Sequence, residues 1–391
     1  MKKLLLITII FSFFINNKVF SASSPDVKAP YAILMDFDSG KILYEKNADI
    51  AVPPSSMSKL MTIYRVFEKI KDGTYTLDSE FIVGPEAWKK AKAMNANSGS
   101  TMFLEFGEKV RLEDLIRGII VNSGNDATIV LAENISGSED KFVDELNDLA
   151  YRLGLKKTTL LNASGWYEKG HLMSLEDLAI LSRRIIKDFP EYYHYFGEKE
   201  FLYKKDLTGN KDNRNKLLWI MPSSDGLKTG HTTKGGYGLS SSAKKNDRRL
   251  IAIVNGIKGV NGSYLRFTDS KGLLEWGFRE FSNLVYYKDG DKVLDIPVWF
   301  GKEDFVPVGI QGKVLVTNKN GEKPNVEIRA TYKSPLPAPI KKGEKIGVLS
   351  VYVDGNKSGE FDLITLEDIK KTGFIGRIIK NIQQIILNMV S

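Results

Sequence analysis

Asp225-Gly226-Leu227-Lys228-Thr229-Gly230-His231-Thr232 is the stretch from which the rest of this chain becomes readable. It follows Ser56-Met57-Ser58-Lys59 and Ser123-Gly124-Asn125, in that order. Each motif alone is a weak signal. Ser-x-x-Lys also begins at Ser138, Ser241 and Ser242, and Lys-Thr-Gly recurs at Lys371 in a basic amphipathic tail; these read as ordinary solvated segments. The surroundings of Ser56 differ. Residues 31–36 form an apolar run with strand character, Asp38-Ser39-Gly40 is a turn signal, and Ile42-Leu43-Tyr44 reads as the second strand of a hairpin. Pro53-Pro54 stops the extended chain, so Ser55 or Ser56 can cap a helix beginning near Met57. Backbone N–H groups at a helix start suit an oxyanion site. One turn later Lys59 falls on the same face as Ser56, the spacing a serine–lysine pair needs.

Ser123-Gly124-Asn125 falls in a loop between helical segments at 112–120 and 126–132. Beyond Lys228, residues 235–240 and 250–254 read as two more strands, which puts Lys228 on a strand edge. In order, context and spacing the three motifs match the set shared by penicillin-binding proteins and class A β-lactamases. The full context, from about Ala32 to the C-terminus, resembles the D-alanyl-D-alanine carboxypeptidases among the low-molecular-mass penicillin-binding proteins.

The chain has 391 residues, enough for two domains and a sizeable core. It has no cysteine, which excludes disulfides, thiol catalysis and zinc–thiolate sites. His171, His194 and His231 are the only histidines, none spaced as a metal pair, and His171 and His194 take an ordinary structural reading. No metal or other cofactor is implied. Lys2-Lys3 followed by an apolar run from Leu4 to Ile15 reads as a secretory leader, residues 1–21, cleaved after Ser21 or Ala22. Such a run is shorter than the roughly 20 residues of a membrane span. The mature protein is therefore expected on the periplasmic face of the cytoplasmic membrane. The net charge of +8 is scattered and accompanies no nucleic-acid motif; it suits an anionic membrane or wall polymer.

Residues 23–284 are expected to form a mixed α/β (α+β) catalytic domain. The resemblance implies a five-stranded antiparallel sheet flanked by helices, with a helical lobe between Ser56 and Lys228. Residues 285–365 carry β-type runs, with Asn320-Gly321 and Asp354-Gly355 as hairpin turns and Pro335, Pro337 and Pro339 as an extended connector. They look like the small β-sandwich that follows the catalytic domain in this family.

The resemblance implies acyl transfer from peptidoglycan pentapeptide stems ending in D-alanyl-D-alanine, with β-lactam antibiotics as covalent inhibitors. Ser56 is the expected nucleophile and Lys59 its base, because no histidine lies in or beside the motifs except His231. Burial and the second cation Lys228 would lower the Lys59 pKa. Ser123 would relay a proton to the leaving amine, and Asn125 would hold Lys59 and the substrate backbone. Lys228 and Thr229 would receive the substrate carboxylate, with Gly230 letting substrate lie along the strand edge. The backbone N–H groups of Ser56 and His231 would form the oxyanion hole, and Arg214 and Arg266 match arginines near the family's carboxylate pocket. Two departures from the family touch loops near the site: Trp166 stands where leucine is usual, and the link between Trp219 and Asp225 is about one residue short. A class A β-lactamase is the alternative enzyme, but Val143 and Thr158 occupy the two positions where its deacylating glutamate would fall. A non-catalytic wall-binding scaffold would be expected to have lost Ser56, Lys59 or Lys228.

Within residues 366–391, Phe374, Ile375, Ile378, Ile379, Ile382, Ile385, Ile386, Met389 and Val390 recur at helical spacing. They fill an arc of roughly 160°, with Arg377, Lys380, Asn381, Gln383, Gln384 and Asn388 opposite and Leu387 alone misplaced. Such a helix lies in the membrane interface and does not cross it. Full-length mature protein should therefore float with anionic liposomes, and a form truncated after Thr365 should not; equal flotation of both would reject the anchor.

Overall fold

The computed structural model describes residues 24–96, 100–205 and 210–374, with 376 and 378. The leader, and all of the amphipathic stripe except Phe374 and Ile378, lie outside the described residues. No helix among the described residues is long and apolar enough to cross a membrane.

The hairpin read at the start of the chain is present as β1 (Tyr31–Asp36) and β2 (Ile42–Lys46). The chain then enters α1 (Lys59–Lys71), the short ribbon β3 (Glu80–Ile82) and β4 (Lys109–Arg111), and α2 (Pro85–Ala96) between them. Helices α3 (Leu112–Arg117), α4 (Asn125–Ser136), α5 (Glu139–Arg152) and α6 (Leu175–Asp188) complete the lobe. After the one-turn α7 (Leu217–Ile220) come β5 (Ser224–Thr232), β6 (Gly236–Lys245), β7 (Arg248–Ile257) and α8 (Gly262–Glu280). The sheet runs β2-β1-β7-β6-β5, antiparallel throughout, so β5 is an edge.

Both faces of this sheet are covered, which is why its central strands are apolar at successive positions. Strand alternation sends Ile33, Met35, Ile251 and Ile253 into the core shared with α1 and α6. The intervening Ala32, Leu34, Ala252 and Val254 pack instead with Phe267, Leu273, Leu274 and Trp276 of α8. The edge strand is thus fixed to a sheet held between two cores, and its last residues face the helical lobe.

A second β unit follows. Strand β8 (Phe281–Tyr287) pairs with β11 (Val314–Lys319). The remaining strands are β9 (Lys292–Trp299), β10 (Phe305–Ile310), β12 (Val326–Tyr332), β13 (Leu336–Pro337), β14 (Lys345–Val353) and β15 (Asn356–Thr365), ordered β12-β14-β15-β10-β9-β13. Both sheets contribute to one core around Ile296, Val308, Val316, Leu349 and Leu363. Two expectations change here. Asp354-Gly355 does close the β14–β15 hairpin, with φ of 50° and 81°. Asn320-Gly321 does not close one: β11 and β12 belong to different sheets, and the Asn320 N–H donates to the Glu280 carbonyl at 2.7 Å. The proline segment is also more than a connector, since Leu336 and Pro337 pair in parallel with β9.

The two units meet at a buried charge. Asp36, at the end of β1, is 0% exposed and accepts from Arg248 Nε at 2.9 Å, Ser39 N at 3.0 Å and Asn283 Nδ2 at 3.3 Å. Thr317 of β11 donates onward to Asn283 Oδ1 at 2.7 Å. Removing one partner of a buried ion pair leaves the other charge uncompensated and costs about 3–5 kcal/mol. Asp36→Ala should lose stability of that order in urea denaturation; a loss below about 1 kcal/mol would show the junction to be dispensable.

Candidate active site

Ser55–Ser58 form a short 3-10 turn ahead of α1. The capping role expected for Ser55 or Ser56 is not observed, because neither the turn nor α1 has a side-chain cap bond. Ser55 instead adopts φ of 52°, a left-handed conformation costly for a residue with a Cβ. It is held there from two sides: its hydroxyl lies 3.0 Å from Thr232 Oγ1, and its carbonyl accepts from Ser58 Oγ at 3.1 Å. Ser56 comes next, half-buried at the mouth of a cleft of about 240 Å³.

The Lys59 ammonium reaches Ser56 Oγ at 3.0 Å, as its spacing predicts. It also donates to Asn125 Oδ1 at 2.7 Å and to the Ser164 carbonyl at 2.5 Å. Its side chain is 0% exposed, and its pKa is drawn down to about 7, by burial first and then by the Arg214 charge, against the opposing pull of Asp126. Sequence reasoning names Lys228 as the second cation acting on Lys59. In the structure Arg214 acts on Lys59 as well, and Lys228, whose charge interacts with that of Lys59, is itself depressed well below the usual lysine range, by burial first and then by Lys59, Arg214 and Arg266.

Ser123 sits where α3 passes through a widened turn, Gly118–Asn122, and has φ of 61°. This strained serine is fixed on the cleft side by Lys228, whose ammonium donates to Ser123 Oγ at 2.9 Å and to the Thr229 carbonyl at 3.2 Å. The structure therefore joins the motifs in two pairs, Ser56 with Lys59 and Ser123 with Lys228; Asn125 belongs to the first. Thr229, Gly230 and His231 line the cleft from the β5 edge. Gly230 also meets a packing requirement: a Cβ there would meet the Pro54 carbonyl at 2.8 Å and Ser55 Cβ at 3.2 Å. Glycine lets β5 press against the nucleophile's turn.

The His231 ring stacks on Tyr237 at 3.8 Å, and burial with the Arg266 and Lys258 charges lowers its pKa. It is a neighbour of the site. Arg214 and Arg266 both line the cleft. Arg214 donates from Nε to the Asn122 carbonyl at 3.0 Å, and Arg266 from Nη1 to the Gly230 carbonyl at 3.4 Å. Burial brings Arg266 down to about 10. Among the described residues lining the cleft there are two arginines and no carboxylate, which favours a positive field there. Trp166 forms an apolar wall.

Of the other motif matches, Ser138 caps α5, accepting from Lys141 N. Ser241 and Ser242 are not solvated as expected but fully buried in β6, where Ser241 donates to the Ala252 carbonyl, because both faces of the sheet are covered. Sequence reasoning missed Ser164 and Asp126. The Asp126 carboxylate accepts from Thr101 Oγ1 at 2.7 Å and from the backbone of Met102 and Leu104, fixing the loop that brings Ser100 to the cleft. Its place directly after Ser123-Gly124-Asn125 was the available signal. Ser164 acts through its carbonyl, which no side-chain pattern reports.

Comparison with known proteins agrees with this geometry. The profile of the D-alanyl-D-alanine carboxypeptidase family matches residues 18–259, and that of the penicillin-binding protein 5 C-terminal domain matches residues 281–371. The chain is 37% identical over 360 residues to the D-alanyl-D-alanine carboxypeptidase DacC of Escherichia coli, covering 92% of this chain and 88% of that one. It is 36% identical over 396 residues to DacA of the same organism, covering 98% and 96%. The solved penicillin-binding protein 5 of Haemophilus influenzae superposes with a TM-score of 0.75 at 34% identity, covering 89% of this chain and 99% of that one. Penicillin-binding protein D2 of Listeria monocytogenes, solved in its ampicillin-bound form, gives 0.54 at 28% identity, covering 66% and 99%. With the serine–lysine pair, the second serine and the edge-strand lysine converging on one cleft, the chain belongs to the D-alanyl-D-alanine carboxypeptidase family.

Proposed function

We propose that the protein is a serine-type D-alanyl-D-alanine carboxypeptidase that trims the terminal D-alanine from peptidoglycan pentapeptide stems and is acylated by penicillins. The observation that carries this reading is the contact of a buried, proton-poor lysine with the cleft serine, Lys59 Nζ to Ser56 Oγ at 3.0 Å. Ser56 Oγ attacks the penultimate carbonyl while Lys59 takes its proton. The developing oxyanion is received by the backbone N–H groups of Ser56 and His231. Ser123, hydrogen-bonded to Lys228, passes a proton to the leaving amine as the peptide bond breaks. Water then hydrolyses the ester, releasing the shortened stem and restoring the Ser56 hydroxyl.

The substrate's terminal carboxylate is the natural guest for Lys228, Thr229, Arg214 and Arg266. An anion beside Lys228 favours its ammonium form, so carboxylate binding would offset the depression that burial and the basic neighbours cause. No carboxylate lies among the described cleft-lining residues, which weighs against a class A β-lactamase, whose deacylating water is activated by a glutamate. The intact Ser56, Lys59 and Lys228 weigh against a non-catalytic scaffold. Residues 23–284 form the catalytic unit in this reading, residues 285–365 carry it as a β spacer, and residues 366–391 attach it to the periplasmic face of the membrane after removal of residues 1–21.

Intact-mass measurement after penicillin treatment tests the assignment. One adduct is expected on the wild type and none on Ser56→Ala, with D-alanine released from a pentapeptide by the wild type only; an adduct persisting in Ser56→Ala would place the nucleophile elsewhere. The acylation rate should also climb as pH rises through about 7, where Lys59 loses its proton. Arg214→Gln removes a neighbouring cation and should shift that limb to higher pH; a limb that moves down or stays put would refute the electrostatic account.

A further inference from the structure

His171 is 2% exposed, lies outside the three motifs, and has no part in the proton transfers above. Its hydrogen bonds nevertheless lead to the nucleophile. The Leu161 N–H donates to His171 Nδ1 at 3.1 Å, so Nδ1 is the acceptor and the ring proton sits on Nε2. Nε2 lies 3.1 Å from Ser58 Oγ, and Ser58 Oγ in turn donates to the Ser55 carbonyl at 3.1 Å. Each step thus has one direction: Leu161 N–H to His171, His171 to Ser58, Ser58 to Ser55.

The last acceptor gives the chain its meaning. The Ser55 carbonyl and the Ser56 N–H belong to one planar trans peptide, so they point in opposite directions. Gripping the carbonyl aims the N–H. Ser55 is the left-handed residue of this turn, and without a hold on its carbonyl the peptide would have reason to relax. There is little slack nearby, since a Cβ at Gly165 would lie 2.2 Å from the same Ser55 carbonyl and 2.5 Å from Ser58 Oγ. Burial and the charge of Lys59 hold the ring neutral, drawing its pKa down to about 4, so the donor–acceptor pattern is constant around neutral pH.

We propose that His171 is a positioning residue for acylation, acting through Ser58 and the Ser55–Ser56 peptide to aim the Ser56 N–H into the oxyanion hole. The inference rests on the serine-acylation reading above. It assigns His171 an effect on the chemical step and little on ground-state binding, because the N–H matters most when the carbonyl oxygen carries charge.

The test uses the mature protein and a fluorescent penicillin, with binding and acylation resolved by stopped flow. His171→Leu removes both hydrogen bonds, whereas His171→Gln can still accept from Leu161 and donate to Ser58. Active sites are titrated and melting temperature is recorded for every variant. The expected result is a fall of roughly ten- to a hundredfold in the acylation rate constant of His171→Leu, with the dissociation constant of the non-covalent complex within about twofold of wild type. His171→Gln should recover to within about threefold of wild type. Ser58→Ala should be impaired like His171→Leu, and the double variant no worse than the poorer single one. The proposal is overturned if folded His171→Leu acylates at the wild-type rate, if His171→Gln is no better than His171→Leu, or if the two losses simply multiply. A wild type that forms no adduct would instead defeat the functional reading itself.

Discussion

A lysine ammonium with no carboxylate bonded to it lies at the centre of this fold. Lys59 is fully buried on the first turn of α1, and its three hydrogen-bond acceptors are a hydroxyl, an amide oxygen and a backbone carbonyl. Dipoles of this kind orient an ammonium without neutralising it, so desolvation prevails and the pKa falls from 10.5 to about 7. That shift amounts to about 5 kcal/mol of preference for the neutral amine. The sign follows from linkage: the unfolded lysine binds its proton more tightly, so the stability cost is fully present below about pH 7 and fades towards pH 10.5. The surrounding structure must offset that cost, and the apolar cores on both faces of the sheet are its largest resource.

Much of the architecture serves to bring distant segments to this lysine at fixed distances. Asn125 comes from the start of α4, Ser164 from the loop before α6, and Ser56 from the same turn as Lys59 itself. The β5 edge closes the fourth side. Two glycines permit the approach: Gly165, at φ of 74° against the Ser55 carbonyl, and Gly230 against the Pro54 carbonyl. A side chain at either would push apart the parts that must touch. The strained serines Ser55 and Ser123 stand on either side of the cleft, each held by hydrogen bonds from a different segment. Strain kept in place by several elements is a form of preorganisation, since little rearrangement is left for the reaction.

The sequence was legible where chemistry and local periodicity coincide. The β1–β2 hairpin, the serine–lysine spacing, the edge position of Lys228 and the Asp354-Gly355 turn all follow from side-chain type and short-range pattern. It was less legible where long-range contacts decide. Ser55 looks like a helix cap until Thr232, 177 positions away, is seen to take its hydroxyl. Asn320-Gly321 has hairpin chemistry, but the strands it joins enter different sheets. The pull of Arg214 on Lys59 is not legible in the sequence, because electrostatics depends on three-dimensional distance and burial. Ser164 works through its backbone, and His171 through a hydroxyl and a peptide plane, so neither carries a side-chain motif.

Direct titration of Lys59 tests the account most closely. With lysine side chains labelled at 13Cε and the Lys59 resonance assigned by its loss in Lys59→Ala, its shift can be followed from pH 5 to 11 in the apo protein. A midpoint near 7, several units below the bulk of the exposed lysines, is the predicted result. A midpoint above about 9.5 would mean that Lys59 is an ordinary charged lysine at neutral pH, and the serine–lysine account would be wrong.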